Sequence, residues 1–279
     1  MFNIDDKTNI TGSATNTDTS DNSDISRYNG HFALAGKHKG CCNQLLGNVV
    51  IVSFLVHEEK SAWKKQDIQV FEQVLKKVAD ILEKESGFSK NKLNIAYAFD
   101  ALPVQVKFDR DDYSQIVSKV VTRYGDYKSV AEYQTHYKKK FKRDEAPLVF
   151  AVHRDFRSFA KMESSASTEE YLKNSDELSF VSYSDDVDSC VKTLIHEILH
   201  QFGAIDYYVH DEVKNVANRL FPGSIMTSGL NISVDPLTRY IIGWDDTPDA
   251  VVFEFLESTK NITEDDIREA YIKDKENDW

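Results

Sequence analysis

The sequence predicts an α/β fold: a mixed sheet flanked by helices, followed by a smaller carboxyl-terminal part. Two observations carry this. Short, almost continuous apolar runs recur at 49–56, 93–99, 148–152 and 179–183, as in buried strands. Between them lie longer segments with apolar residues at helical spacing, most clearly 61–84 and 187–202, as on the inner face of a helix. Such alternation of strand and helix builds a layered α/β domain.

The chain of 279 residues has room for one large domain or two modest ones. Its organisation reads as a disordered or regulatory segment at 1–45, a first subdomain at 46–203 and a second at 204–279. A net charge of −12 argues against nucleic acid or an anionic membrane surface as partner. No apolar run approaches the length of a membrane span, and a monomer is expected. The amino terminus has no cationic start followed by an apolar stretch, so no ordinary signal peptide is visible and the compartment stays open. Three cysteines, two of them adjacent (Cys41 and Cys42), do not resemble a disulfide framework, and reduced thiols are expected.

Taken in order, residues 1–27 are rich in Asn, Thr, Ser and Asp and are expected to be disordered. Residues 28–47 are punctuated by Gly30, Gly36, Gly40 and Gly47, so order is expected to begin at Val49. A strand to Val56 precedes a helix capped by Ser61 and ended by Ser86 and Gly87. Strands follow at 93–99 and 104–108. Residues 112–142 read as two helical pieces broken near Gly125, with the basic run 138–143 at the carboxyl end, where cations suit the helix dipole. Strands at 148–152 and 179–183 enclose a polar, loop-like stretch at 154–178. After Asp206 come a polar segment, a turn at Phe221, Pro222 and Gly223, and a helix started by Asp235 and Pro236. A strand at 251–256 and a charged helix opened by Thr263 complete the chain.

The chemistry is concentrated at 184–206. Val187, Val191, Leu194, Ile195, Ile198, Leu199 and Phe202 make one apolar stripe, and Asp185, Asp186 and Asp188 supply a cap and first-turn acids. His196 and His200 sit one turn apart, so both imidazoles project from one face and can grip a single metal ion. Two histidines and Glu197 inside so apolar a helix would be costly to desolvate without a partner. Glu197 is placed to act as general base toward a water on that metal. Gly203 tolerates positive φ and can turn the chain out of the helix. A third ligand is then available from Asp206, with His210 and Glu212 as nearby alternatives.

His196, Glu197, His200, Gly203 and Asp206, followed by a Ser-Ile-Met-Thr turn at 224–227, resemble the metzincin metalloproteases. The usual metzincin pattern has a third histidine where this chain has Asp206, a departure similar to the snapalysin-like branch. The resemblance implies a mixed twisted sheet with an active-site helix and a cleft between two subdomains. It implies Zn2+ held by His196, His200 and Asp206, with Glu197 as general base and Met226 as a hydrophobic floor. It also implies a protein or peptide substrate. The motifs span 196–226 only, and the helices at 112–142 do not belong to the minimal family fold. Many metzincins carry a tyrosine two residues after the methionine; here that position is Ser228, and Tyr207, Tyr208 and Tyr240 are the candidates to replace it.

Three protein ligands leave the fourth position of a tetrahedral zinc ion open to water, whose pKa falls to about 7. That chemistry reads as a zinc metalloendopeptidase. A zinc hydrolase of a non-peptide amide, or a non-catalytic binding protein on a protease fold, are the alternatives; an intact Glu197 argues against the latter. His31, His38, Cys41 and Cys42 lie close together upstream, where a thiolate could block the zinc in a latent form, but a covered or surface thiol pair is the simpler reading. Cys190 reads as a small core residue.

Overall fold

A computed structural model describes residues 24–57, 62–89, 92–100, 116–119, 127, 129–161, 177–184, 186–228 and 232–277. The fold is mixed α/β, and among the described residues the sheet has five strands in the order β2-β1-β3-β5-β4. These are β1 (Asn48–Val56), β2 (Asn94–Asp100), β3 (Leu148–Val152), β4 (Phe159–Lys161) and β5 (Leu178–Ser182). All neighbours run parallel except β4, which pairs antiparallel with β5, Phe159 opposite Phe180, at one edge.

The apolar run of β1 is buried on both faces, as expected for a central parallel strand. Val49, Ile51 and Leu55 enter the core beneath α1 (Lys65–Glu85), whereas Val50, Val52, Phe54 and Val56 pack on the opposite face against α2 (Val130–Phe141). The period-two geometry of a strand sorts these residues. The helix that carries the histidines, α3 (Val187–Gln201), packs on α1, β4 and β5. Asp186 caps it by accepting from the amides of Asp188 and Ser189.

Beyond α3 the chain is helical: α4 (Asp211–Leu220), a single turn α5 (Ile225–Ser228), α6 (Pro236–Ile241), α7 (Ala250–Ser258) and α8 (Glu264–Asn277). The expected strand at 251–256 is α7. Val252, Phe255 and Leu256 are buried at helical spacing, and the Asp249 carboxylate caps the amides of Val251 and Val252. A short apolar run fits either state, so cap and burial decide. The polar segment after Asp206 holds α4, and the expected loop at 154–178 holds β4, too short to show a period. Ser61, the expected cap of α1, lies outside the described residues. Lys64 stands at the N-cap position and its amide bonds the Asp67 carboxylate. The strand expected at 104–108 and the break near Gly125 also lie outside the described residues. The basic run does close α2, whose last turn holds Lys138, Lys139 and Lys140.

Order begins well before Val49. Tyr28, Phe32, Ala33, Cys42 and Leu45 are buried in the main core. Residues 24–47 cross the carboxyl-terminal part as a strap. The Leu45 amide bonds the Ile242 carbonyl, the Trp244 indole N–H bonds the Leu45 carbonyl, and His31 meets Thr259. Glycine punctuation suggested looseness, but Gly30, Gly40 and Gly47 adopt positive φ within a packed segment. Among the described residues no helix is long and apolar enough to cross a membrane.

Candidate metal centre

Two side chains hold α3 against the internal strands β3 and β5. Gln201 at its end bonds both the amide and the carbonyl of Leu148 and also Ser179 Oγ, while Ser179 Oγ donates to the Glu197 carbonyl. The Glu197 backbone is thereby fixed to β5. After Phe202, Gly203 at φ +94° turns the chain, and Asp206 returns to the helix.

His196 Nε2, His200 Nε2 and Asp206 Oδ1 then form a nearly equilateral triangle. The two nitrogens are 3.1 Å apart, and Oδ1 is 3.0 Å from His196 and 3.2 Å from His200. Each ring's other nitrogen faces a backbone carbonyl: His196 Nδ1 lies 3.1 Å from Ile225 O, and His200 Nδ1 lies 2.7 Å from Ala204 O. A carbonyl can only accept, so both Nδ1 atoms carry the proton and both Nε2 atoms present lone pairs in the neutral rings. Asp206 Oδ1 is buried and receives no hydrogen bond. Three electron-rich atoms thus converge with nothing but mutual repulsion to hold them, unless a positive charge sits among them.

The dimensions suit a small tetrahedral cation. Bonds of about 2.0–2.1 Å to nitrogen and oxygen put neighbouring ligand atoms about 3.3 Å apart, close to the observed edges. Holding imidazoles through carbonyls is how proteins fix the metal-binding tautomer. Burial alone would push the Asp206 carboxyl up, but without a metal the His200 and His196 rings in their protonated form hold it well below the usual carboxylate range. Burial likewise disfavours a charged His200, yet Asp206 turns the net shift upward. The carboxylate thus attracts positive charge, as protons on the imidazoles or as a metal ion held by the neutral rings.

Among the described residues this is the one group of His, Cys, Asp or Glu side chains arranged to hold a metal. His210 and Glu212 stay outside it: His210 precedes α4, and Glu212 is exposed in its first turn. Cys41 and Cys42 stay outside it as well. Their amides bond Glu177 Oε2 at 2.6 and 2.9 Å, and none of the three cysteines is in a disulfide. His31 is buried with one ring nitrogen accepting from the Ala33 amide. Cys190 is buried, as expected, with its sulfur on the Ser184 amide.

His196 borders a cleft of about 570 Å³ whose walls also include Arg157, Ser158, Thr193, Glu197 and Tyr208, while His200 and Asp206 lie behind it. Glu197 lines it while only 5% exposed. Of the three tyrosines named above, Tyr208 alone lines the cleft, its ring stacked on His196 at 6.3 Å with planes 22° apart. Burial pushes its hydroxyl well above the ordinary phenol range, so it stays a donor. Tyr207 is core, bonded to Asp235 and Thr238. Tyr240 lies under the Lys37 ammonium.

Met226 is fully buried beside Ile225, the residue whose carbonyl holds His196. The turn at 224–227 therefore orients a histidine through its backbone, which no side-chain motif could announce. Also beyond reach of the sequence was Tyr271 on α8, whose hydroxyl donates to Asp206 Oδ2 at 3.2 Å. An aromatic residue in a charged helix signals at most an inward face.

No protein-family model and no curated protein matches the chain. Among solved structures, the crystal structure of a zinc-dependent peptidase from Methanocorpusculum labreanum (strain Z) is similar over 69% of this chain and 99% of that one. Identity is 16% and the TM-score 0.38. Similarity that distant leaves the reading of the site to its own geometry.

Proposed function

We infer that this protein is a zinc-dependent endopeptidase of metzincin type, and one observation carries the reading: the triangle of His196 Nε2, His200 Nε2 and Asp206 Oδ1, with His196 and the neighbouring Glu197 lining an open cleft. His196, His200 and Asp206 would hold the ion. When bound, zinc supplies a Lewis acid that acidifies a water and polarises a carbonyl. Glu197 takes a proton from water on the cleft side and returns it to the departing amine. Tyr208, kept protonated by burial, donates a hydrogen bond to the oxygen that gains charge. Met226 is buried within the turn whose Ile225 carbonyl orients His196.

A peptide substrate is favoured by the sheet edge. The segment 155–158 lines the cleft and leads directly into β4, the edge strand among the described residues, so an extended chain bound in the cleft would lie close to the sheet. The test is zinc content together with cleavage of an unstructured protein by wild type and Glu197→Gln. Zinc retained with cleavage lost in the variant supports the reading; no cleavage by either protein supports a binding module, and absence of zinc from both sinks the metal centre.

A further inference from the structure

The carboxyl-terminal helix reaches the metal centre from the far end of the chain. Tyr271 of α8 lies 65 positions from Asp206, yet its hydroxyl donates to Asp206 Oδ2 at 3.2 Å and sits beside the Asp206 backbone amide. The other carboxylate oxygen, Oδ1, faces both imidazoles. The two oxygens therefore have separate tasks, one held by the phenol and one offered to the cation.

Asp206 needs such a hold more than the histidines do. They ride on a helix pinned to the sheet, whereas Asp206 lies between Gly203 and α4, in a stretch without helix or strand. One turn along α8 on the same face, Asp274 pairs with Arg157 at 2.6 Å. Arg157 lines the cleft, its guanidinium 5.5 Å from the Tyr208 ring. One helix face thus holds both Asp206 and Arg157, and its docking does not depend on the tyrosine alone.

Resting on the zinc reading above, we propose that Tyr271 is a positioning residue for the metal centre, fixing the Asp206 carboxylate so that a single oxygen faces the ion. The test uses the full-length protein and measures zinc affinity by competition with a chromophoric chelator. Tyr271→Phe removes one hydroxyl and is expected to weaken zinc binding about 10- to 100-fold, the usual cost of losing a group that orients a ligand. It should also alter the absorption spectrum of the Co2+-substituted protein. In an Asp206→Ala background the same change should have no effect on zinc affinity, because the tyrosine acts through that carboxylate. Equal zinc affinity in wild type and Tyr271→Phe overturns the proposal and leaves the zinc reading standing. An equal loss in both backgrounds also overturns it, since α8 would then be supporting the fold alone. A wild-type protein that binds no zinc removes both readings together.

Discussion

Gly203 and Gly36 meet backbone to backbone: a methyl group on Gly203 would lie 2.4 Å from the Gly36 carbonyl oxygen, and one on Gly36 would lie 2.7 Å from Gly203 Cα. The glycine that releases Asp206 from the helix is therefore also the point where the amino-terminal strap crosses. Positive φ explains why residue 203 suits glycine; only the contact explains why residue 36 does.

Alanine at either position should destabilise the protein. Gly203→Ala combines backbone strain with overlap and is expected to cost about 3 kcal/mol or more, while Gly36→Ala, with overlap alone, should cost about 1–3 kcal/mol. Urea unfolding of the chelator-treated proteins measures both. A neutral Gly36→Ala would show that the strap moves aside freely.

Asp206→Ala should lower zinc affinity steeply. Zinc-binding energies of roughly 10–16 kcal/mol shared among four ligands make each ligand worth about 10²–10³ in affinity. His210→Ala should leave affinity unchanged, because His210 lies outside the triangle. Competition titration of both variants decides between them as third ligand.

Tyr208→Phe should lower kcat by about 10²-fold with KM little changed, as expected when a donor to developing charge is lost. Zinc content should not fall, since Tyr208 stacks on His196 without bonding its nitrogens. Steady-state cleavage of a peptide found to be a substrate provides the measurement. A change confined to KM would assign the tyrosine to substrate binding instead.

His31 should make the fold acid-labile. Burial lowers its pKa from 6.5 to about 4. The ring accepts from the Ala33 amide through Nδ1 and meets the Thr259 hydroxyl through Nε2, so a second ring proton would point at a donor. Between about pH 4 and 6.5 the unfolded chain binds this proton and the folded chain does not. Stability therefore rises with pH across that window and is lost as pH falls through it, by up to about 1.4 kcal/mol per unit. Urea midpoints at pH 4.5, 5.5 and 6.5 test this against His31→Gln, which should show a flatter profile.

The sequence by itself determined the sheet strands β1, β2, β3 and β5, the helix α3 and the identity of the two imidazoles and the glutamate. All of these rest on local spacing, and local spacing fixes which side chains share a face. It misread residues 251–256, where a run of apolar residues suits strand and helix alike and the Asp249 cap settles the matter. It took residues 28–47 for a loose lead-in, because a strap that buries scattered side chains against a distant helix has no period. Asp206 as third ligand was already implied by the family resemblance; tertiary structure alone decided that Ile225 O and Ala204 O set the ring tautomers, that Tyr208 rather than Tyr207 or Tyr240 faces the cleft, and that Tyr271 touches Asp206. Each of these depends on contact between segments far apart in the chain, and such contacts are chosen by packing of the whole core rather than by any pattern of neighbouring residues.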